Sequence, residues 1–206
     1  MMTVKDHWEK IYNTKQLSEV SWYQQTPAAS LQFFKQLKIK KTDSVIDIGG
    51  GDSFLVDHLL NRGYTNITVL DISETAINRA KIRLGEKAKQ VNWIVSDVLL
   101  FKTDLQFDCW HDRAAFHFLT TANDIESYLT MSQQYVRDSG KLIIGTFSVD
   151  GPEKCSGLPV KQYNDKLLST TLQKWFSKIN CITTNHITPF KTVQNFIFCS
   201  FQKLSI

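Results

Sequence analysis

Three consecutive glycines, Gly49, Gly50 and Gly51, follow an apolar run that closes on Asp47 and Ile48, and a helical pattern begins directly after them. Strand, glycine turn and helix in that order bring backbone N–H groups up to a nucleotide. A dinucleotide turn reads G-x-G-x-x-G, its third glycine letting helix and strand pack closely. Counting from Gly49, that third place is taken by Phe54. Asp47, two positions before the first glycine, would repel a pyrophosphate and attract an ammonium group. The turn therefore suits a nucleoside that carries an amino acid and argues against NAD. Further along the chain, His111 and His117 are candidate bases, because an unperturbed imidazole titrates near physiological pH. Strand and helix periodicity puts His117 nearer the mouth of a pocket. Arg113 could meet a carboxylate on a ligand, with a salt bridge to Asp112 or another acid as the alternative.

These residues must be positioned by the elements around them. The first forty residues read as helical, in TVKDHWEKIYN and again in PAASLQFFKQL, with Pro27 suited to a first turn. Strands and helices then alternate. Residues 44–48 form a strand and 53–63 a helix closed by Gly63. Residues 66–72 form a strand, and 73–85 a helix with Ser73 as N-cap and Gly85 as stop. Strands follow over 91–95 and 107–112, then a helix over 123–138, and Gly140 turns the chain into a strand over 141–147. This alternation implies parallel pairing with right-handed crossovers. A helix over 166–179 precedes CITTNHITPF and TVQNFIFCSFQ, which read as two antiparallel strands turning near Lys191. The expected fold is an α/β, Rossmann-like doubly wound sheet of seven strands with a C-terminal antiparallel hairpin and N-terminal helices. It is read as a single domain over 1–206. A helical cap covers 1–40, a cofactor-binding half 41–150, and an acceptor-side lid and hairpin 151–206.

Asp47 to Gly51 resembles the acidic-x-Gly-x-Gly motif of class I S-adenosylmethionine-dependent methyltransferases. The resemblance implies that the glycine backbone lies under the methionine and ribose of that cofactor. It implies that Asp71 accepts hydrogen bonds from both ribose hydroxyls, chemistry suited to a carboxylate held in plane. It also implies that Asp97 contacts the adenine amino group and that Ile72 and Val98 sandwich the ring. Each residue has a plainer reading: the glycines as an ordinary turn, Asp71 as a helix cap, Asp97 as a loop carboxylate. Their joint placement at three strand ends favours the cofactor.

Two further resemblances concern the acceptor. Asp112 to Ala115, "DRAA", is similar to the corresponding stretch of the thiopurine S-methyltransferase group. HWEKIY and EVSWYQ resemble the opening of small lysine methyltransferases, in which a Trp-Tyr pair helps close the cofactor pocket. Trp22 and Tyr23 carry that match, or else they form a hydrophobic latch for an N-terminal helix. The whole chain resembles a small bacterial-type methyltransferase related to both groups. Methyl transfer is an in-line displacement at a sulfonium, so the protein supplies alignment and, where needed, removal of a proton. His117 and Tyr23 are the expected catalytic residues, and Trp22, Phe116 and Arg113 the expected acceptor contacts. Aromatic faces such as Phe116 and Tyr23 could stabilise the cationic sulfonium. Residues 147–163, with Gly151, Pro152, Gly157 and Pro159, are expected to form a shaped lid in which Cys155 is a plain buried or half-buried thiol.

Composition sets the remaining bounds. The chain has 206 residues, 42% of them hydrophobic, with 13 Phe and 5 Trp, enough for a sheet packed on both faces. A net charge of +4, without a run of five like charges, neither demands nor excludes nucleic acid. No Asn-Pro-Pro-aromatic tetrapeptide follows the fourth strand, so base flipping and a nucleic-acid partner are not expected. No metal is expected. Cys109, Cys155, Cys181 and Cys199 lack metal-type spacing and lie far apart in sequence, which reads as reduced thiols. MMTVKDHWEK has no apolar signal-peptide core, and no run is long enough to span a bilayer. The expectation is a cytoplasmic monomer or homodimer acting on a small-molecule acceptor. The alternatives are a protein lysine methyltransferase and a non-catalytic cofactor-binding partner.

Overall fold

The computed structural model describes residues 3–205. Five strands run parallel: β1 (Val45–Ile48), β2 (Ile67–Asp71), β3 (Val91–Val95), β4 (Phe107–Arg113) and β5 (Val136–Phe147). β6 (Phe176–Ile187) and β7 (Val193–Lys203) complete the sheet as an antiparallel hairpin, in the order β3-β2-β1-β4-β5-β7-β6. Helices α1 (Val4–Thr14) and α2 (Ala28–Gln36) precede β1, and α3 (Leu55–Asn61), α4 (Glu74–Leu84), α5 (Ala122–Tyr135) and α6 (Asp165–Leu172) follow β1, β2, β4 and β5. No described helix is long and apolar enough to cross a membrane.

Strand alternation divides the core. Val45, Cys109 and Ile143 face Phe33, Phe34, Leu55 and Leu59 from α2 and α3. Ile46, Ile48, Trp110, Leu142 and Ile144 face Tyr128, Leu129, Leu168 and Leu172 from α5 and α6. Both faces are apolar because parallel strands with crossover helices are covered on both sides. Full burial of each such side chain contributes about 1.5–3 kcal/mol. The same alternation puts residues 111 and 113 on the α2 side of β4 and Asp112 on the α5 side. The register aligns Ile48 with Leu70 and Asp112, and Asp71 with Val95. The glycine turn and the ends of β2, β3 and β4 therefore meet on one edge of the sheet.

Gly63 and Gly85, both at positive φ, close α3 and α4 as their patterns predict. Two expected boundaries differ. The helix anticipated over 123–138 stops at Tyr135, because Val136 pairs with Phe107 and starts β5. The helix anticipated over 166–179 stops at Leu172, because Phe176 pairs with Lys203 and starts β6. In both places helix-compatible residues yield to sheet pairing, a tertiary effect that local periodicity does not contain.

The reduced-thiol expectation is corrected for two of the four cysteines. Cys181 and Cys199 are opposite each other on β6 and β7 and form a disulfide, 18 residues apart in sequence. Antiparallel register brings together what sequence spacing kept apart, so these two residues no longer speak for a reducing compartment. Cys109 and Cys155 are free and buried.

Candidate active site

A cavity of about 410 Å³ opens on the shared edge of the sheet, at the carboxyl ends of β1, β2, β3 and β4. In open α/β sheets ligands bind at this place, where the direction of winding reverses. One half of the cavity is built from the turns after β1, β2 and β3. The other half is built from β4, the N-terminal segment and the segment after β5.

In the first half each glycine of the triplet has its own reason. Gly49 is at φ +63, and a Cβ there would also come 2.9 Å from the Ala115 side chain. A Cβ on Gly50 would lie 2.5 Å from the Asp47 carboxylate, and one on Gly51 would lie 2.5 Å from that of Asp71. Two carboxylates are thus packed directly against backbone, which any side chain in the turn would prevent.

Asp47 is buried and accepts a hydrogen bond at Oδ1 from His111 Nδ1 at 2.7 Å, while its Oδ2 has no partner among the described residues. His111 Nε2 is 2.9 Å from the Ser30 hydroxyl on α2. This Ser-His-Asp chain runs inward from the cavity wall and ends on a buried hydroxyl, so it orients Asp47 and offers no nucleophile. An unpartnered buried carboxylate oxygen fits the amino group of an amino-acid ligand. Asp71 accepts the Ser73 N–H at 2.8 Å. Burial pushes its carboxyl up to about 7; the N–H groups of Ser73 and Gly51 pull it down, and Asp47 and Glu9 push it up. Asp97 accepts the Leu99 N–H at 2.9 Å, and Ile72, Asp97 and Val98 line the cavity. Gly51 is the one cofactor-side candidate behind the wall; it acts through its contact with Asp71. The orphaned oxygen, the glycine cradle and the flanking apolar side chains fit S-adenosylmethionine.

The second half is aromatic. Trp8, Tyr12, Trp22, Tyr23 and Phe118 line it. Trp8 is 5.7 Å from Trp22 and 5.2 Å from Phe118, and Tyr12 is 6.1 Å from Trp22, all edge-to-face. Tyr23 meets Phe54 at 5.9 Å. Helix α1 is docked over this space through α4. The Glu9 carboxylate accepts the Glu74 N–H at 2.6 Å, an anion at a helix N-terminus. Arg79 donates to the carbonyls of Tyr12 and Lys15. Ala114 lines the wall at φ 66, a left-handed conformation that costs a non-glycine residue about 1–2 kcal/mol.

Two expected acceptor residues are not on the wall. Phe116 is buried against Tyr128 and Tyr163, with ring centroids at 4.8 and 5.4 Å. His117 is buried between Phe118 and Phe147, its Nε2 without a partner. Burial, and then the charge of Arg113, lower His117 to about 3, so it stays neutral and is unsuited to take a proton. The cause is a single helical turn over Phe116–Phe118, which turns residues 116 and 117 into the core and 118 toward the cavity. The order of the two histidines is therefore the reverse of the expected one, since His111 lines the cavity. Trp8, Tyr12 and Phe118 also line the cavity; HWEKIY contains the first two, but only Trp22 and Tyr23 of that resemblance are expected at the site. The signal for two of them is the i, i+4 spacing of Trp8 and Tyr12 on one face of α1.

Arg113 does line the cavity, with Nη2 donating to the Trp22 carbonyl at 2.8 Å. The alternative salt bridge to Asp112 does not form. Asp112 faces α5 and accepts from Ala115 N–H, Phe116 N–H and the Tyr128 hydroxyl. The segment after β5 folds as a short hairpin, Lys154–Cys155 against Leu158–Pro159. It brings Cys155 to the wall, where burial pushes the thiol up to about 11.

Comparison with known proteins agrees with this geometry. Residues 45–140 match the methyltransferase domain family. The chain is 25% identical over 155 residues to a zebrafish (Danio rerio) EEF1A lysine methyltransferase 2, covering 68% of this chain and 66% of that protein. It is 28% identical over 131 residues to the mouse (Mus musculus) eEF1A lysine and N-terminal methyltransferase, covering 63% of this chain and 17% of the relative. The chain thus spans less than two thirds of the length of either relative. The crystal structure of Burkholderia thailandensis 1,6-didemethyltoxoflavin-N1-methyltransferase, with 1,6-didemethyltoxoflavin and S-adenosylhomocysteine bound, superposes with a TM-score of 0.73. It is 17% identical, and 98% of this chain and 88% of that one are covered.

Proposed function

We propose that this chain, a class I S-adenosylmethionine-dependent methyltransferase, transfers its methyl group to a small-molecule acceptor bound between β4 and the N-terminal aromatic residues. The observation that carries the acceptor reading is the wall itself: an aromatic enclosure of about 410 Å³ overall, shared with the cofactor, with a cation in it. S-adenosylmethionine, when bound, supplies an activated methyl group on a sulfonium. Asp47 would hold the amino group through Oδ2, Asp71 the ribose hydroxyls, and Asp97 the adenine, with Ile72 and Val98 on the ring faces. Gly49, Gly50 and Gly51 let the backbone approach. Tyr23 and Trp22, with Trp8 and Phe118, exclude water and offer electron-rich ring faces to the positive charge. Residues 1–40 act as a cap and 151–163 as a strap over the acceptor. With His117 buried and neutral, the acceptor either ionises on its own, as a thiol or acidic heterocycle does, or loses its proton to solvent.

Support for a small acceptor comes from the similar fold of the 1,6-didemethyltoxoflavin-N1-methyltransferase, whose structure holds bound 1,6-didemethyltoxoflavin. The second reading, methylation of a protein lysine, is favoured by the activity for which the EEF1A-directed relatives are named. A lysine acceptor needs an acidic or aromatic slot, and the aromatic part is present. The deciding experiment measures S-adenosylhomocysteine release with thiols, acidic heterocycles, aromatic carboxylic acids and a proteome extract in parallel. Turnover of a small molecule is the expected result. Turnover with the extract alone would move lysine to the front, and no turnover with any of them would contradict both.

A further inference from the structure

We propose that Arg113 is the anchor for an anionic acceptor, so that the cavity takes a flat molecule carrying a carboxylate. The inference rests on the small-molecule reading above and narrows its substrate class.

Arg113 is an unusual cation in this molecule. Among the described residues its one hydrogen bond is the donation from Nη2 to the Trp22 carbonyl, and its buried Nε has no partner. No carboxylate pairs with it among the described residues. The other partly buried arginines are treated differently. Arg83 pairs with Asp52 and Asp57, and Arg79 pairs with Asp52 at 2.9 Å. Of the acids nearest it, Asp112 accepts from Tyr128 and two N–H groups, and Asp47, whose negative charge favours the guanidinium, bonds His111 and forms no ion pair with Arg113. Around the guanidinium are the Phe196 ring at 5.7 Å, Trp22 and the neutral Cys155 thiol.

A charge half-buried among rings and left without an ion pair is destabilising. A guanidinium in a ligand cavity recovers that cost when the ligand brings a carboxylate, whose two oxygens match its fork of N–H donors. Position argues that this carboxylate belongs to the acceptor. The cofactor-side carboxylates and glycines come from β1, β2 and β3, whereas Arg113 ends β4 and leans toward β7, where Phe196 lies. Burial lowers the guanidinium to about 10, which leaves it charged at neutral pH. A lysine ammonium in the same space would meet a like charge.

The test uses the full chain saturated with S-adenosylhomocysteine and two probes of equal shape, benzoate and benzamide, titrated by ligand-detected NMR. Benzoate is expected to bind at least tenfold more tightly than benzamide. That preference should fall below twofold in Arg113→Gln and be partly kept in Arg113→Lys. Affinity for S-adenosylhomocysteine itself should be unchanged in Arg113→Gln. Equal binding of the two probes, or binding of neither, overturns the proposal. A loss of S-adenosylhomocysteine affinity in Arg113→Gln also overturns it, by assigning Arg113 to the cofactor's own carboxylate. The methyl-transfer reading fails separately, if the folded protein binds S-adenosylhomocysteine yet turns over nothing in the acceptor panel.

Discussion

The two halves of the cavity are built by different means. The half at β1, β2 and β3 is made from short turns, each a few residues from the strand that aims it. There a carboxylate is packed so tightly against a glycine that one Cβ would lie 2.5 Å from it. The half at β4 is made from side chains far apart in the sequence: Trp8, Tyr12, Trp22, Arg113, Phe118 and Cys155. Backbone sterics set the first half, while side-chain packing between distant segments sets the second. The first should therefore respond steeply to single atoms and the second gradually.

The steepest response is expected at Gly51. Gly51→Val drives its side chain into Asp71 and Ala76. It should abolish detectable S-adenosylhomocysteine binding in calorimetry while overpacking costs about 1–3 kcal/mol of stability, read as a lowered but cooperative thermal transition. Normal binding by this variant would break the contrast.

Asp71 offers a graded version through pH. Burial raises its carboxyl from the ordinary 3.8 to about 7. Between those values the folded protein holds a proton that the unfolded chain releases, so unliganded stability should fall as pH rises through that window. Affinity for S-adenosylhomocysteine should move the opposite way, rising toward and above pH 7, because the ionised carboxylate is the better acceptor for hydroxyl groups. Asp71→Asn should flatten both curves, as denaturant titrations and calorimetry at several pH values would show.

On the aromatic side the effect is smaller. Trp8→Ala removes its edge-to-face contacts with Trp22 and Phe118 across the cavity wall, each worth about 0.5–1.5 kcal/mol. S-adenosylhomocysteine affinity should fall by only a few fold, and residues 1–25 should become more sensitive to limited proteolysis. A loss as severe as that at Gly51 would mean that the cap, too, is under tight steric control. The smallest effect on the site is expected from Cys181→Ser, remote on the β6–β7 hairpin. Stability should drop by about 3 kcal/mol for an 18-residue loop, with cofactor affinity unchanged.

The same division explains how much of the molecule is legible in its sequence. The alternating elements, the hairpin turning near Lys191 and the alignment of Asp47, Asp71 and Asp97 follow from local periodicity and from strand ends sharing an edge. The aromatic half follows from neither. Extending the strand pattern through Asp112 puts Phe116 and His117 at the pocket, but a single helical turn at Phe116–Phe118 reverses which residue faces the cavity. Trp8 and Tyr12 reach the cavity because Glu9 and Arg79 tie α1 to α4, contacts more than 60 residues long in sequence. The disulfide depends on antiparallel register in the same way. The ends of α5 and α6 are decided by pairing with β4 and β7, which no window of helical residues reports.

The most direct test of the cofactor site is a calorimetric titration of S-adenosylhomocysteine into the wild-type protein and Asp71→Ala. Stoichiometric binding to the wild type is predicted, with an affinity at least tenfold lower for the variant, about 1.4 kcal/mol or more. Equal affinity in two folded proteins, or no binding to the wild type, would contradict the assignment of the cofactor to the ends of β1, β2 and β3.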